Sequence, residues 1–293
     1  MHHPTTAPAA RADGWSCRRT ALHALAGGLL LAAAPARARG RLCRLGVHPC
    51  LPALKLEAMM AGVAVELGQV LGCSVQIKSR PTFEEFRDEL LSGSYDLVLV
   101  NPFLFVEAAD LVGYLPLVRM ADELRAELLT LQPWPVGDLR SLRGRSLALP
   151  PRLAAASFLT RAALLDAGLR SGRDVTLHHF PDQVSCLQAV SIGTVDACAA
   201  LSFLRGSLLQ IGHVPLRSAW TSGPVAGIVI AAHPRLPVGQ RLLLREAMLG
   251  WNGSPRGKAL LASLGWSGMA TPVAADFEGV RTLDGQLRAA DLG

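Results

Sequence analysis

The side chains with the most chemistry to offer in this 293-residue chain are its cysteines and histidines. Cys50 and Cys186, brought together, would make a thiol pair able to hold a soft species such as trivalent arsenic or a thiophilic metal ion. The plainer alternative is that the cysteines are small apolar residues packed in a core. His178-His179 is a second pair of candidate ligands. Neighbours on a strand point to opposite faces, so one imidazole at most would serve a given site. No C-x-x-C occurs and no Cys/His cluster has zinc spacing, so neither a metal nor a cofactor is expected. Glu84-Glu85 falls on a helical pattern, where solvated charge accounts for it. The chain has no G-x-S-x-G, no H-E-x-x-H, no P-loop and no G-x-G-x-x-G after a strand. These types and spacings favour binding over catalysis.

The elements that would position such residues follow an α/β syntax of short apolar runs alternating with helical patterns. Leu42 to Val47 reads as a strand stopped by Pro49. Leu56, Met59, Met60, Val63, Leu67, Val70 and Leu71 then share one face of a core-facing helix. Val75 to Lys78 is a second strand. Thr82 with Glu85 three residues on is a capping-box pattern that opens the next helix, and Gly93 closes it. Leu97 to Val100 is a buried strand, and Asn101-Pro102 starts another helix. The second half repeats the pattern, with strands at Ser146–Leu149, Val175–His178 and Val195–Ala199 and helices at Ala154–Ala167 and from Asp182 to Gly193. Gly93-Ser94-Tyr95-Asp96-Leu97 and Gly193-Thr194-Val195-Asp196-Ala197 are alike in detail, which supports two similar lobes. A loop at Gln132-Pro133-Trp134-Pro135 lies near the start of the second. A last strand at Ile228–Ala231 and helices near Val238–Leu249 and Pro255–Leu264 return the chain to the first lobe.

The N-terminus predicts export. Arg18 and Arg19 precede the uncharged run Ala21 to Ala34, which ends in overlapping small-x-small sites at Ala34-Pro35-Ala36 and Ala36-Arg37-Ala38. This is a signal-peptide pattern over residues 1–36, cleaved near Ala36 or Ala38, and too short to span a bilayer. The arginine pair resembles a twin-arginine signal, and Sec and Tat export both stay open. The remaining chain carries a formal +4, the whole chain's +6 less the segment's +2. It has no basic stripe interleaved with aromatics, which argues against nucleic-acid binding. Five cysteines follow the segment, an odd number that leaves at least one thiol free in an oxidising compartment.

Leu45-Gly46-Val47-His48-Pro49, Phe83-Glu84-Glu85-Phe86 and Gly93-Ser94-Tyr95-Asp96-Leu97-Val98, in that order, resemble the phosphate/phosphonate-binding proteins of ABC transporters. Asp138-Leu139-Arg140-Ser141-Leu142-Arg143-Gly144 resembles that family's "D-L-x-x-L-x-G", and Gly193 to Ala197 its "G-x-x-D-A". The likeness runs from about residue 42 to 265. It implies a two-lobed α/β fold, the type II periplasmic binding protein, with a mixed sheet in each lobe and two hinge crossovers. Residues 41–120 and 224–270 would form lobe 1, 121–223 lobe 2, and 271–293 a surface tail. The implied role is a monomeric periplasmic protein that captures a small ligand by hinge closure and presents it to a membrane permease. A sensor kinase as partner, and an accessory enzyme or scaffold on the same fold, are the alternatives.

The chain also departs from the family's pattern. Phe83 stands where phosphonate binders have a tyrosine, and Asn101-Pro102-Phe103-Leu104-Phe105 replaces "G-P-x-x-Y". Leu153-Ala154-Ala155-Ala156 replaces the hydroxyl-rich "S-x-S-G". Gln183 replaces a histidine, and Val225 or Ala226 an acidic residue. A phosphonate dianion is costly to bury without several hydrogen bonds, so a less charged or more apolar solute is expected. The resemblance places the ligand among Cys50, Phe83, Asn101, Phe105, Ala155, Ser157, Gln183 and Ser202, at strand ends and helix starts.

Overall fold

The structure, a computed structural model, describes residues 42–131, 138–206 and 216–291. The expected signal peptide and the loop at 132–137 lie outside the described residues.

The chain alternates strand and helix from its first described residue. β1 (Leu42–Val47), α1 (Ala53–Leu71), β2 (Ser74–Lys78), α2 (Phe83–Leu91), β3 (Leu97–Val100), α3 (Pro102–Val112) and β4 (Leu115–Met120) build the first lobe. β5 (Ala126–Thr130), β6 (Arg145–Leu149), α4 (Ala155–Asp166), β7 (Val175–His179), α5 (Gln183–Ser191), β8 (Ala197–Leu201) and β9 (Arg217–Thr221) build the second. The chain then returns through β10 (Val229–Ala232), α6 (Val238–Gly250), α7 (Pro255–Leu264), β11 (Met269–Ala270) and α8 (Glu278–Asp291).

Each lobe has its own mixed sheet. The first has the order β11-β4-β10-β3-β1-β2, the second β7-β6-β8-β5-β9. β1 pairs in parallel with β2 and β3, while β10 runs antiparallel to β3 and β4. β6 likewise lies parallel to β7 and β8, with β5 antiparallel to β8 and β9. Parallel strands joined through helices must be covered on both faces, which is why β3 and β8 are apolar throughout and fully buried.

Local chemistry sets the boundaries. Leu56, Met60, Val63, Leu67 and Leu71 form the buried stripe of α1. The Thr82 hydroxyl accepts from Glu85 N at 3.1 Å and starts α2. The matching Gly-to-Asp segments have matching jobs. Gly93 and Gly193 both adopt positive φ after a helix. Asp96 accepts from Arg44 N at 2.8 Å at the start of the neighbouring β1, and Asp196 accepts from Ser146 N at 2.8 Å at the start of β6. Gly46 is required inside β1 because the Tyr95 ring lies over it, within 2.5 Å of where a Cβ would stand.

Two crossings join the lobes, one between β4 and β5 and one between β9 and β10. They pair with each other, Leu124 N donating to Val225 O and Val225 N to Leu124 O, both at 2.9 Å. Gly227 completes the second crossing, where a Cβ would stand 2.4 Å from Asp122 O. A Cβ at that position has no room.

Two sequence expectations need correction. Residues 271–293 are expected as a surface tail, and their described part, 271–291, packs against the rest of the chain. Phe277, Val280 and Leu287 are buried there, and Phe277 packs on Phe105 with ring centroids 4.6 Å apart. Asp276 pairs with Arg119, Arg281 with Asp110 and Arg288 with Glu107, all in the first lobe, while α8 also packs along α4 of the second. The cysteines are not all lone packing residues either: Cys43 and Cys73 form a disulfide between β1 and the turn before β2. Cys186 and Cys198 are free and buried in the second lobe's core.

Candidate functional site

Where the lobes meet, the first lobe's core continues into the second without a polar break. Ala154, Ala155, Ala156, Phe158 and Leu159 of the α4 start belong to the same apolar cluster as Val47, Phe83 and Phe103. Phe103 and Phe158 stack across the junction, ring centroids 4.3 Å apart and planes 5° from parallel. Close by, Asn101 Nδ2 donates to Leu153 O at 3.0 Å, a direct bond from one lobe to the other.

At this junction lies a chamber of about 40 Å³, lined by His48, Cys50, Phe83, Asn101, Pro150, Ala155, Asp182, Gln183, Leu201 and Ile228 among others. It opens beside Pro49, Cys50, Pro181 and Asp182 to an outer groove of about 510 Å³ that Glu57, Ser79 and Arg80 also line.

Strand ends and helix starts furnish the walls. β1 delivers His48, β3 delivers Asn101, β8 delivers Leu201, and the helix starts of α2, α4 and α5 deliver Phe83, Ala155 and Gln183. Of the eight residues expected from the sequence, Cys50, Phe83, Asn101, Ala155 and Gln183 face the chamber. Phe105, Ser157 and Ser202 are not on its walls. Phe105 sits four residues beyond the Asn101 cap, one turn on, and is buried against Phe277. Ser157 is fully buried and donates to Pro150 O at 2.8 Å, bracing the wall from behind. Ser202 follows β8, its N–H given to Arg125 O at 2.9 Å. Cys186 lies inside the second lobe rather than on the chamber wall, so it does not make a cleft thiol pair with Cys50.

His48, like Asp182, Pro150, Leu201 and Ile228, lines the chamber without being among the residues expected from the sequence, although it directly follows β1, where ligands of open sheets collect. Its Nδ1 lies 3.0 Å from Leu99 O. Burial pulls its pKa down to about 4, against the smaller opposing pull of the Leu99 carbonyl. The imidazole is therefore neutral at ordinary pH.

The hydrogen-bonding capacity of the other polar wall residues is largely spent. Asn101 Oδ1 accepts from Phe103 N and Leu104 N, both at 3.1 Å, as the cap of α3. Gln183 Oε1 accepts from Leu201 N at 2.9 Å. Asp182 Oδ1 accepts from Ser185 N at 2.7 Å and caps α5. A carboxylate there already occupies the positive end of the helix, where an anionic ligand would otherwise gain. Ala154 gives α4 no side-chain cap; Ser157 N and Phe158 N donate back to Ala154 O at 3.0 and 3.1 Å, which leaves the N–H groups of Ala155 and Ala156 as donors. In the outer groove Arg80 is engaged by Glu89, its Nη2 donating at 2.7 Å. His179 turns to Pro150 O at 2.9 Å, and among the described residues no three His, Cys, Asp or Glu side chains gather as metal ligands.

Comparison with known proteins places this geometry in a lineage. The two-lobed fold is similar to a binding-protein component of an ABC phosphonate transporter from Pseudomonas aeruginosa. The identity is 14%, coverage is 86% of this chain and 88% of that one, and the TM-score is 0.73. It is also similar to the methylphosphonate complex of a Prochlorococcus marinus protein, at 13% identity, 84% and 98% coverage and a TM-score of 0.75. A histidine kinase sensor domain with similarity to periplasmic binding proteins is a more distant likeness, at 16% identity, 80% and 100% coverage and a TM-score of 0.56. A sequence comparison with curated proteins finds no match. The family described as the phosphonate periplasmic substrate-binding protein of ABC transporters matches residues 45–277. The chain belongs to that family of periplasmic substrate-binding proteins.

Proposed function

We propose that this substrate-binding protein closes on a small solute that lacks a dianionic headgroup and presents it to an ABC permease. The observation that carries this reading is the charge of the chamber. Among its wall residues the charged side chain is Asp182, which is negative, and no lysine or arginine joins it. A buried dianion needs opposite charge or several donors to offset its lost hydration. Here it would meet a carboxylate, two phenyl-bearing or aliphatic walls and few free donors.

Capture by closure requires that a ligand favour the closed form over the open one. Two contacts join the lobes here, Asn101 to Leu153 and Phe103 to Phe158, and of these four residues Asn101 alone is on the chamber wall, so a solute can add to the contacts instead of replacing them.

A thermal-shift series on the exported chain tests the reading, because a shift grows with ligand concentration over dissociation constant. Uncharged solutes are expected to raise the melting temperature and phosphate or methylphosphonate to leave it unchanged. A larger shift with methylphosphonate than with any uncharged solute would refute it.

A further inference from the structure

We infer that His48 is the specificity-determining hydrogen-bond acceptor of the cleft, and that it selects a small uncharged solute bearing an N–H or O–H donor, of the carboxamide or alcohol class. The inference rests on the chamber being the solute site, as proposed above.

The tautomer follows from one contact. A main-chain carbonyl can only accept, so Nδ1, 3.0 Å from Leu99 O, carries the ring hydrogen. In a neutral imidazole the remaining nitrogen, Nε2, is then a lone-pair acceptor. The ring lines the chamber, Phe83 packs against it with ring centroids 5.7 Å apart, and the residue as a whole is 5% exposed. Its desolvation is offset in the bound state if a ligand donates to Nε2.

The other walls complete a complementary pair. The carbonyl oxygens of Asn101 and Gln183 are already taken by backbone N–H groups. Gln183 keeps its amide hydrogens for a ligand acceptor, and the uncapped start of α4 offers N–H groups beside them. One acceptor and a few donors on the walls of one chamber match a group that both donates and accepts, as a carboxamide does. An anion of the same shape would set its lone pairs against Nε2 and against Asp182, and would be rejected by that repulsion. Asp182 and Cys50 are the other titratable groups on these walls.

The test uses the exported chain with 15N-labelled histidine at neutral pH. Its probes are acetamide, acetate of the same shape, N,N-dimethylacetamide without the donor, and methylphosphonate. Without ligand, His48 is expected as the Nδ1–H tautomer. Acetamide should move the Nε2 resonance and leave Nδ1 in place, while the other three move neither. In His48→Phe the acetamide affinity should fall about 10-fold, the worth of one well-made hydrogen bond. If that variant misfolds, the resonances of the unaltered protein decide alone. An Nε2–H tautomer, acetamide binding that leaves Nε2 unmoved, or no binding by any probe overturns the inference without touching the charge argument. Methylphosphonate binding tighter than acetamide overturns both.

Discussion

Asn101 and Leu153 join the two lobes directly, the Asn101 amide donating to the Leu153 carbonyl at 3.0 Å while its own oxygen caps α3. One side chain thus does two separable jobs, starting a helix in the first lobe and holding the second lobe shut. Asn101→Asp keeps the capping oxygen and loses the donor, setting a carboxylate against a carbonyl. Its melting temperature should change little, while small-angle scattering should show a larger radius of gyration than the unaltered protein. Asn101→Ala should lose the cap as well, at about 1 kcal/mol. An Asp variant as compact as the original would show that this bond does not hold the lobes.

The C-terminal helix α8 is fixed to the first lobe by Glu107, which is buried and receives both Arg87 and Arg288. The Arg87 hydrogen bond, with Arg288 beside it, holds the Glu107 carboxyl below its ordinary value despite burial. Glu107→Gln leaves two guanidinium groups short of a charge partner. The expected loss is roughly 2 kcal/mol in urea unfolding, the scale of a charged hydrogen bond. Because the folded-state pKa is lowered, this contribution is present near neutral pH and fades as pH falls through the folded value. Equal stability of the Gln variant and the original at neutral pH would contradict it.

His48 carries a second pH dependence with the same sign. Its pKa is about 4 in the folded chain and 6.5 when unperturbed, so the unfolded state binds the proton first as pH falls. The contribution is full above the unperturbed value, erodes from there downward and is gone below the folded one. Its size is on the order of 3 kcal/mol. His48→Gln should flatten the melting-temperature profile between those limits. A profile unchanged by the substitution would mean that His48 is not buried as a neutral ring.

The Cys43–Cys73 disulfide closes a 30-residue separation across β1 and α1. Removing it with Cys73→Ser should cost about 2–4 kcal/mol, mainly by freeing the unfolded chain. Reductant should destabilise the original and leave the variant unaffected. Sensitivity of the variant to reductant would place a disulfide elsewhere.

Much of the fold was legible because strong local signals agree with it. The α1 stripe, the Thr82, Asn101 and Asp182 caps and the paired Gly-to-Asp segments all sit where the sequence puts them. β4, β5 and β9 were harder to read, since each carries a proline, charged or polar residue and owes its burial to neighbours distant in sequence. α8 escaped for a related reason. Its buried residues Val280 and Leu287 are spaced among charges and find a partner surface only once both lobes are assembled. At the cleft, loss of the family's hydroxyls was visible in Phe83 and Ala155. Helical phase misled at Phe105, where one turn beyond the cap points to the core instead of the chamber. His48 was missed because a histidine before Pro49 reads as a strand end; its acceptor role depends on the Leu99 carbonyl beside it.

The charge of the chamber is the centre of this account, and titration calorimetry of the exported chain with methylphosphonate tests it most directly. No saturable heat is expected, or a dissociation constant of about 1 mM or weaker, equivalent to some 4 kcal/mol. A micromolar or tighter constant, retained in His48→Gln, would contradict it.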